Sequence, residues 1–428
     1  MDARAVEMIG ADAEVFLHQS LSTPCLDALD GCEGIYLKTV GGRRLMDFHG
    51  NSAHQVGYGN PRVVNAIRRQ LEELPFCPRR FTNRYAIDLA RKLTELAPHP
   101  LRKVLFAPSG ALAIGIALKL ARIATGRHKT LSMWGSFHGA SLEAASVGGE
   151  SLFRDGLGPL LPGTEHAAPA FPYRCAYGCG GACDLRCARY LDSILENDGD
   201  IGALVAEPVR CTVVAPPPEG YWRHVREACD RHGVLLVFDE IPTCLGRTGR
   251  MFACEAVGVT PDILVMGKGL GGGIVPMAAV LARADLDVAG DRAIGHYTHE
   301  KSPIGCAAAL ATIECIETDG LLAHARALGA HAMRRLAEMK QRHPLIGDVR
   351  GMGLLIGVEL VRDHAIRAPA NDEAEAVMYE AMRRGMSFKV SAGNVLTLAP
   401  PLVITRPQLD EALDIMDAAL GVVAKGGV

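Results

Sequence analysis

The chain has 428 residues, 49% of them hydrophobic, and a formal net charge of −3 at neutral pH. That is ample for one large core with smaller appendages. The weak charge carries no polyanion-binding signature, which argues against a nucleic-acid partner, and no apolar run approaches the roughly 20 residues of a membrane span.

The opening MDARAVEMIGADAEVF has no basic segment leading into an apolar one, so no signal peptide is read there. With 13 cysteines scattered through such a chain, reduced thiols and a cytoplasmic location are expected. Residues 1–30 read as a helix and an irregular arm. Residues 35–38 and 43–48 flank Gly41-Gly42, a hairpin signal, and an irregular loop containing His54 follows. Apolar residues at helical spacing mark helices over 62–74 and 85–96; the loop between them carries Arg79 and Arg80.

An α/β alternation then begins. A strand over 103–107 meets Pro108-Ser109-Gly110, and a helix starts at once. Such a turn offers free amides and the positive end of a helix dipole to a phosphate, although an ordinary strand–turn–helix corner looks the same. The strand over 130–133 runs into WGSFHGAS, where Phe137 could stack on a flat ring or fill core. Residues 150–184, rich in Pro, Gly and Cys, read as a long surface excursion. A helix over 184–197, a strand over 201–206 capped by Glu207-Pro208, and an amphipathic helix over 221–232 come next.

Two apolar runs follow, each ending in one charged residue: VLLVF into Asp239, and DILVMG into Lys268 with a glycine run behind it. Short apolar runs bounded by turn signals read as buried parallel strands, and in open α/β sheets chemistry collects at their carboxyl ends. An acid able to keep a heterocycle nitrogen protonated and a lysine able to form a Schiff base are the minimal kit of a pyridoxal 5'-phosphate (PLP) enzyme. A core-edge Asp and a surface Lys satisfy the same spacing; the neighbouring motifs shift the balance. After a strand over 276–282, a loop enters a long helix of small residues, a sign of close helix packing. From about residue 319 a helix (320–342), a strand in GLLIGVELV, a helix (371–384), short strands near Phe388 and Val395, and a last helix after Pro407 read as a small domain. The expected division is 1–60, an N-terminal arm and hairpin; 61–318, a large domain; and 319–428, a C-terminal small domain.

With these residues in view, the chain resembles the class III, fold-type-I PLP aminotransferases from about residue 30 to 420. Four motifs stand in the family's order: FAPSGALAIGIALKLAR for the phosphate turn, SFHG for ring stacking, FDEIPTCLGRTG for the pyridine acid and MGKGLGGG for the Schiff base. The resemblance implies an α/β fold, a mostly parallel sheet flanked by helices, with a small α+β domain built from both chain ends. It implies that Lys268 forms the Schiff base and then moves protons, and that Asp239 keeps the pyridine nitrogen charged. Ser109, Gly110 and Ala111 would cradle the phosphate, Phe137 would stack on the ring beside His138, and Glu207 would face the substrate. Thr298 would reach the phosphate of the partner subunit's cofactor, which implies an obligate homodimer.

Three departures bear on the reaction. Pro242 stands where the family usually has a Gln touching the cofactor's phenolic oxygen. Ala111-Leu112-Ala113 replaces the usual Thr-Glu-Ala. Thr397 stands where an arginine usually takes the carboxylate of an amino or keto acid in a bidentate fork, which argues against ordinary transamination with pyruvate or 2-oxoglutarate. The cations left for an anionic substrate are Arg210, Arg79, Arg80 and Lys301, with His54 a further candidate; at least half of such charges are ordinary solvated groups. A positive pocket without that arginine suggests a phosphonate or phosphate on the substrate's far end. The fuller pattern, FHGNSAHQVGYGNP with HYTHEKSPIGCAAALA and the Pro after Asp-Glu-Ile, most resembles the hydroxy-aminoethylphosphonate ammonia-lyase branch. That likeness implies loss of the β-hydroxyl of a 2-amino-1-hydroxyethylphosphonate-like substrate, ending in phosphonoacetaldehyde and ammonia. The alternative is an ω-amine:keto-acid transaminase on a small primary amine; a non-catalytic binding protein would not need Lys268 with Asp239. The acid for the leaving hydroxyl is not identified, Lys268 and a water near His299 being candidates. Cys175, Cys179, Cys183 and Cys187 stand four apart but lack the usual C-x-x-C knuckles, so structural thiols are expected and no metal.

Overall fold

The computed structural model describes residues 2–22, 25–179 and 183–426. Helix α1 (Ala3–Val15) is capped by Asp2, whose side chain accepts from the amide of Arg4. Strands β1 (Leu29–Glu33), β2 (Tyr36–Thr39) and β3 (Arg44–Asp47) form an antiparallel sheet. Gly42, at φ +79°, closes the β2–β3 turn in the left-handed geometry glycine adopts freely. Strand β1 falls between the expected arm, residues 1–30, and the expected hairpin; its five residues are all exposed, so it carries no apolar alternation to betray it. Helices α2 (Pro61–Glu73) and α3 (Arg84–Leu96) start on asparagine caps, Asn60 and Asn83.

The central sheet has seven strands: β4 (Leu101–Ala107), β5 (Lys129–Met133), β6 (Thr164–Ala167), β7 (Ile201–Ala206), β8 (Leu235–Asp239), β9 (Ile263–Met266) and β10 (Ala278–Arg283). Their spatial order is β4-β10-β9-β8-β7-β5-β6. Only β10 runs antiparallel to its neighbours; the rest pair in parallel. Helices α4 (Gly110–Thr125), α5 (Leu142–Val147), α6 (Arg186–Asn197), α7 (Tyr221–His232) and α8 (Ala253–Val257) connect them. Every residue of β7, β8 and β9 is buried, which is why these strands are written as unbroken apolar runs. Trp222 of α7 packs edge-on against Phe238 of β8 with centroids 4.7 Å apart, and its indole donates to the carbonyl of Pro208 at 2.8 Å. The indole thereby fixes the end of β7 to the face of β8. Below the sheet, buried Asp262 accepts from the amide of Leu236 and from Arg226 and Arg283 at 2.6–2.8 Å, clamping β8, β9 and β10 at the end away from the cavity described below.

The chain continues through α9 (Pro303–Thr318), which packs on α2 and α3, and α10 (Leu321–Arg342). Then come β11 (Ile346–Met352), β12 (Leu355–Asp363), β13 (Ala368–Pro369), α11 (Asn371–Arg383), β14 (Met386–Ser387), β15 (Lys389–Ser391), β16 (Val395–Leu398) and α12 (Arg406–Val423). β11-β12-β16-β15 form an antiparallel sheet with β13 beside β12, while β14 joins the N-terminal sheet in parallel with β3.

Candidate active site

Strands β7, β8 and β9 end at one edge of the sheet, and each delivers one charged residue there. Glu207 follows β7, Asp239 is the last residue of β8, and Lys268 lies two residues past β9. The parallel register sets Ala206 beside Phe238 and Asp239 beside Val265. Together with the start of α4, the turn after β5 and the β15–β16 pair, they enclose a cavity of about 400 Å³. Of the residues expected from the sequence, Gly110, Ala111, Phe137, His138, Glu207, Asp239, Lys268 and Thr397 all line it. Pro242 is in the wall too.

Asp239 is held from both sides. Its Oδ1 accepts from the amide of Ile241 at 3.0 Å, and its Oδ2 lies 2.8 Å from Nδ1 of His138. The far nitrogen of His138 lies 3.4 Å from the hydroxyl of Ser132, and both the histidine and the aspartate are buried. A carboxylate fixed this way has one direction left to act, into the cavity. Glu207 is also buried; its Oε1 accepts from the amide of Cys211 at 3.1 Å, and its Oε2 meets no protein donor. Burial, partly offset by the His138 ring and reinforced by the charge of Asp239, pushes its carboxyl up to about 7. The group is therefore poised to hold or release a proton near neutral pH.

Lys268 has φ +48°. A residue with a β-carbon in that left-handed region costs of order 1–2 kcal/mol, a strain typical of sites where the chain must aim one side chain. Gly269, next in the chain, leaves room for the buried end of the Gln55 side chain, which a β-carbon there would displace. Ser109 caps α4, accepting from the amide of Leu112 at 3.4 Å. A β-carbon at Gly110 would come within 2.7 Å of Ile241, so only glycine lets the first amides of α4 approach the floor. Those amides have no intrahelical acceptor and sit at the positive end of a 16-residue helix.

The remaining candidates lie elsewhere in the monomer. Arg210 turns away from the cavity: its Nη2 donates to the carbonyls of Gly135 and Trp134 at 2.8 and 3.3 Å, and burial lowers its pKa. It braces the turn that presents Phe137. His54 is buried, with Nε2 3.3 Å from the carbonyl of Asp47, and burial lowers its pKa to about 4. Arg79 donates to the carbonyl of His296, Asn83 to that of Lys301, and Phe76 meets the ring of His299 edge-on. These contacts join the 76–83 and 296–301 loops on the surface, where Arg80 and Thr298 are exposed.

Two lining residues of consequence were not expected from the sequence, Lys389 on β15 and His49 after β3. His49 has its pKa lowered to about 4, by burial first and then by the charges of Lys389 and Lys268. The signal for Lys389 was alternation in KVS, too short to orient a strand. Among the described residues no arginine lines the cavity. The thiol of Cys179 donates to Asp184 Oδ1 at 3.3 Å, Cys175 is half-buried, Cys187 is buried in α6 and Cys183 is exposed. Among the described residues no three His, Cys, Asp or Glu side chains are grouped to hold a metal, and no helix is long and apolar enough to cross a membrane.

The sequence pattern of the class-III aminotransferases matches residues 21–420. The chain is 50% identical to an (R)-1-hydroxy-2-aminoethylphosphonate ammonia-lyase of Vibrio splendidus, over 98% of this chain and 90% of that one. It is 39% identical to a leucine/methionine racemase of Thermococcus litoralis, over 90% and 88%. Among solved structures, an aminotransferase of Bacillus anthracis superposes with a TM-score of 0.91 at 28% identity, covering 98% of this chain and 99% of that one. The ω-transaminase of Pseudomonas jessenii, solved in complex with PMP, gives a TM-score of 0.92 at 28% identity over 98% and 99%. The fold is the fold-type-I aminotransferase fold expected from the four motifs.

Proposed function

This chain belongs to the class III aminotransferases, and we propose that it uses the family's cofactor as an ammonia-lyase. Its substrate is a 2-amino-1-hydroxyethylphosphonate-like amine, which it converts to phosphonoacetaldehyde and ammonia. The observation that carries this reading is the identity of half the residues, along 98% of the chain, with the V. splendidus ammonia-lyase. A cavity wall without an arginine supports it, because a keto-acid acceptor has no guanidinium fork to meet there.

The cofactor is pyridoxal 5'-phosphate, and the residues present fit it. Gly110 leaves open a cradle that a β-carbon would close, with unpaired amides behind it for a phosphate. Asp239, fixed by His138 and Ile241, presents a buried carboxylate suited to a protonated ring nitrogen. Phe137 and Ile241 supply apolar surface for the ring, and Lys268 supplies the amine that holds the aldehyde carbon. When bound, the cofactor supplies an electron sink for the charge left by removing a proton next to the amine.

The chain's own groups do the rest. Lys268, with its amine free, would take the proton from the amine-bearing carbon with its Nζ. Glu207 gives the proton on its unpartnered Oε2 to the departing β-hydroxyl, which leaves as water. The released unsaturated amine takes a proton at its phosphonate-bearing carbon to become an imine, which adds water and falls apart to aldehyde and ammonia, so no acceptor is consumed. Pro242 and Thr397 leave out two polar contacts that the usual Gln and Arg supply. The active unit is a homodimer, because Thr298, Arg80 and the exposed rings of Phe76 and Phe81 lie on the surface of one chain, and Thr298 serves the partner's cofactor phosphate.

A direct test supplies 2-amino-1-hydroxyethylphosphonate with and without 2-oxoglutarate and follows both phosphorus products and amino acids. The expected result is phosphonoacetaldehyde at a rate indifferent to the keto acid and no glutamate. Glutamate formed in step with substrate loss would favour the transaminase instead.

A further inference from the structure

The cavity holds a second cation that the chemistry above does not use. Lys389 opens β15, and its cross-strand partner on β16 is Thr397. Directly opposed residues of an antiparallel pair project from the same face, and so do residues two apart along a strand. Lys389, Ser391 and Thr397 therefore share one face, and all three line the cavity. Thr397 Oγ1 donates to Ser391 Oγ at 3.1 Å, and both residues are buried. Among the described residues Lys389 has no carboxylate within ion-pair distance and no side-chain hydrogen bond. Its charge is felt across the cavity, because it and Lys268 both depress the pKa of His49.

We infer that Lys389, with the hydroxyls of Ser391 and Thr397, forms the anion subsite that takes the phosphonate of the substrate. This rests on the lyase reading and assigns the residues that give it specificity. The cation has moved one strand over, from position 397 to the residue paired with it. The move changes the shape of what can be held. An arginine presents a flat fork matched to a planar carboxylate, whereas a lysine ammonium is a compact charge with three rotatable donors. Flanked by two hydroxyls, it offers donors from different directions, which suits the three oxygens of a tetrahedral dianion. A keto acid finds charge there but no fork, so discrimination comes from the missing element as much as from the new one.

The test uses the PLP-loaded enzyme and methylphosphonate, a phosphonate with no amine to react. Its affinity is measured by isothermal calorimetry for the wild-type protein, Lys389→Met, Lys389→Gln and Lys389→Arg. Loss of a charge-assisted contact is expected to weaken binding about 10- to 100-fold in the Met and Gln variants, with Arg keeping most of it. KM for 2-amino-1-hydroxyethylphosphonate is expected to rise by a similar factor with a smaller change in kcat. The affinity for propylamine, read from the cofactor's visible absorbance, stays as in the wild type and shows that the variants are folded and loaded. Equal methylphosphonate affinity in wild type and in whichever neutral variant stays loaded overturns the inference, as does a wild-type enzyme that binds no methylphosphonate. A wild-type enzyme that binds methylphosphonate through Lys389 yet releases no ammonia keeps the subsite and overturns the lyase reading.

Discussion

Three charged side chains at the ends of three adjacent strands divide the work by their surroundings. Asp239 is locked by His138 and a backbone amide, Lys268 is aimed by a left-handed backbone, and Glu207 is left half-unpartnered. In the proposed reaction Lys268→Ala removes both the attachment and the base, so it should abolish ammonia release and the visible absorbance of the lysine-bound cofactor. A variant that keeps either one would contradict the role given to Lys268. In the acid role proposed for it, Glu207 works only while protonated. With its carboxyl raised to about 7 by burial, the wild-type kcat should fall as pH rises through about 7. Glu207→Gln cannot donate a carboxyl proton; its kcat should drop about 10²- to 10⁴-fold near neutrality and lose that alkaline fall. A pH–rate profile of the two proteins decides it, and an unchanged profile in the glutamine variant would assign the fall to another group. Asp239, Glu207 and Lys268 were legible in the sequence because each closes an apolar run. Lys389 was not, because cross-strand register, not spacing along the chain, carries it to the cavity.

Elements read well where burial on both faces left an unbroken apolar signature. β7, β8 and β9 were all visible, and so were the helices with one apolar stripe. Strands β1 and β6 were missed: β1 is exposed throughout, and β6 is a four-residue edge strand inside the Pro- and Gly-rich excursion. The close approach of α10 to the β11–β12 turn was equally hidden. Gly329 of α10 lies against the backbone of Gly353, with no room for a β-carbon. In an ordinary helix interior, alanine would stabilise by about 0.8–1 kcal/mol over glycine. Here overpacking of about 1–3 kcal/mol should outweigh that gain, so Gly329→Ala should lower the urea midpoint. A midpoint raised by the substitution would show that the contact yields.

At the scale of the whole molecule, one end of the chain completes the other. β14 and β3 pair in parallel, and β15–β16 supply a wall of a cavity whose floor belongs to the central sheet. The wall can thus be changed without disturbing the floor, and the proposed roles divide the same way: Thr397 and Lys389 on the wall for the substrate, Lys268 and Asp239 on the floor for the cofactor. The proposed dimer extends the same division across two chains. Sedimentation should give the mass of two chains, and Thr298→Ala should weaken PLP binding about tenfold or more in an absorbance titration of the apoenzyme; a monomer that binds PLP fully would remove the shared site. The most direct measurement is ammonia released from 2-amino-1-hydroxyethylphosphonate by the loaded enzyme with every keto acid left out. Many equivalents per active site are expected, matched by phosphonoacetaldehyde. A halt after one equivalent, relieved only by adding pyruvate or 2-oxoglutarate, would contradict it.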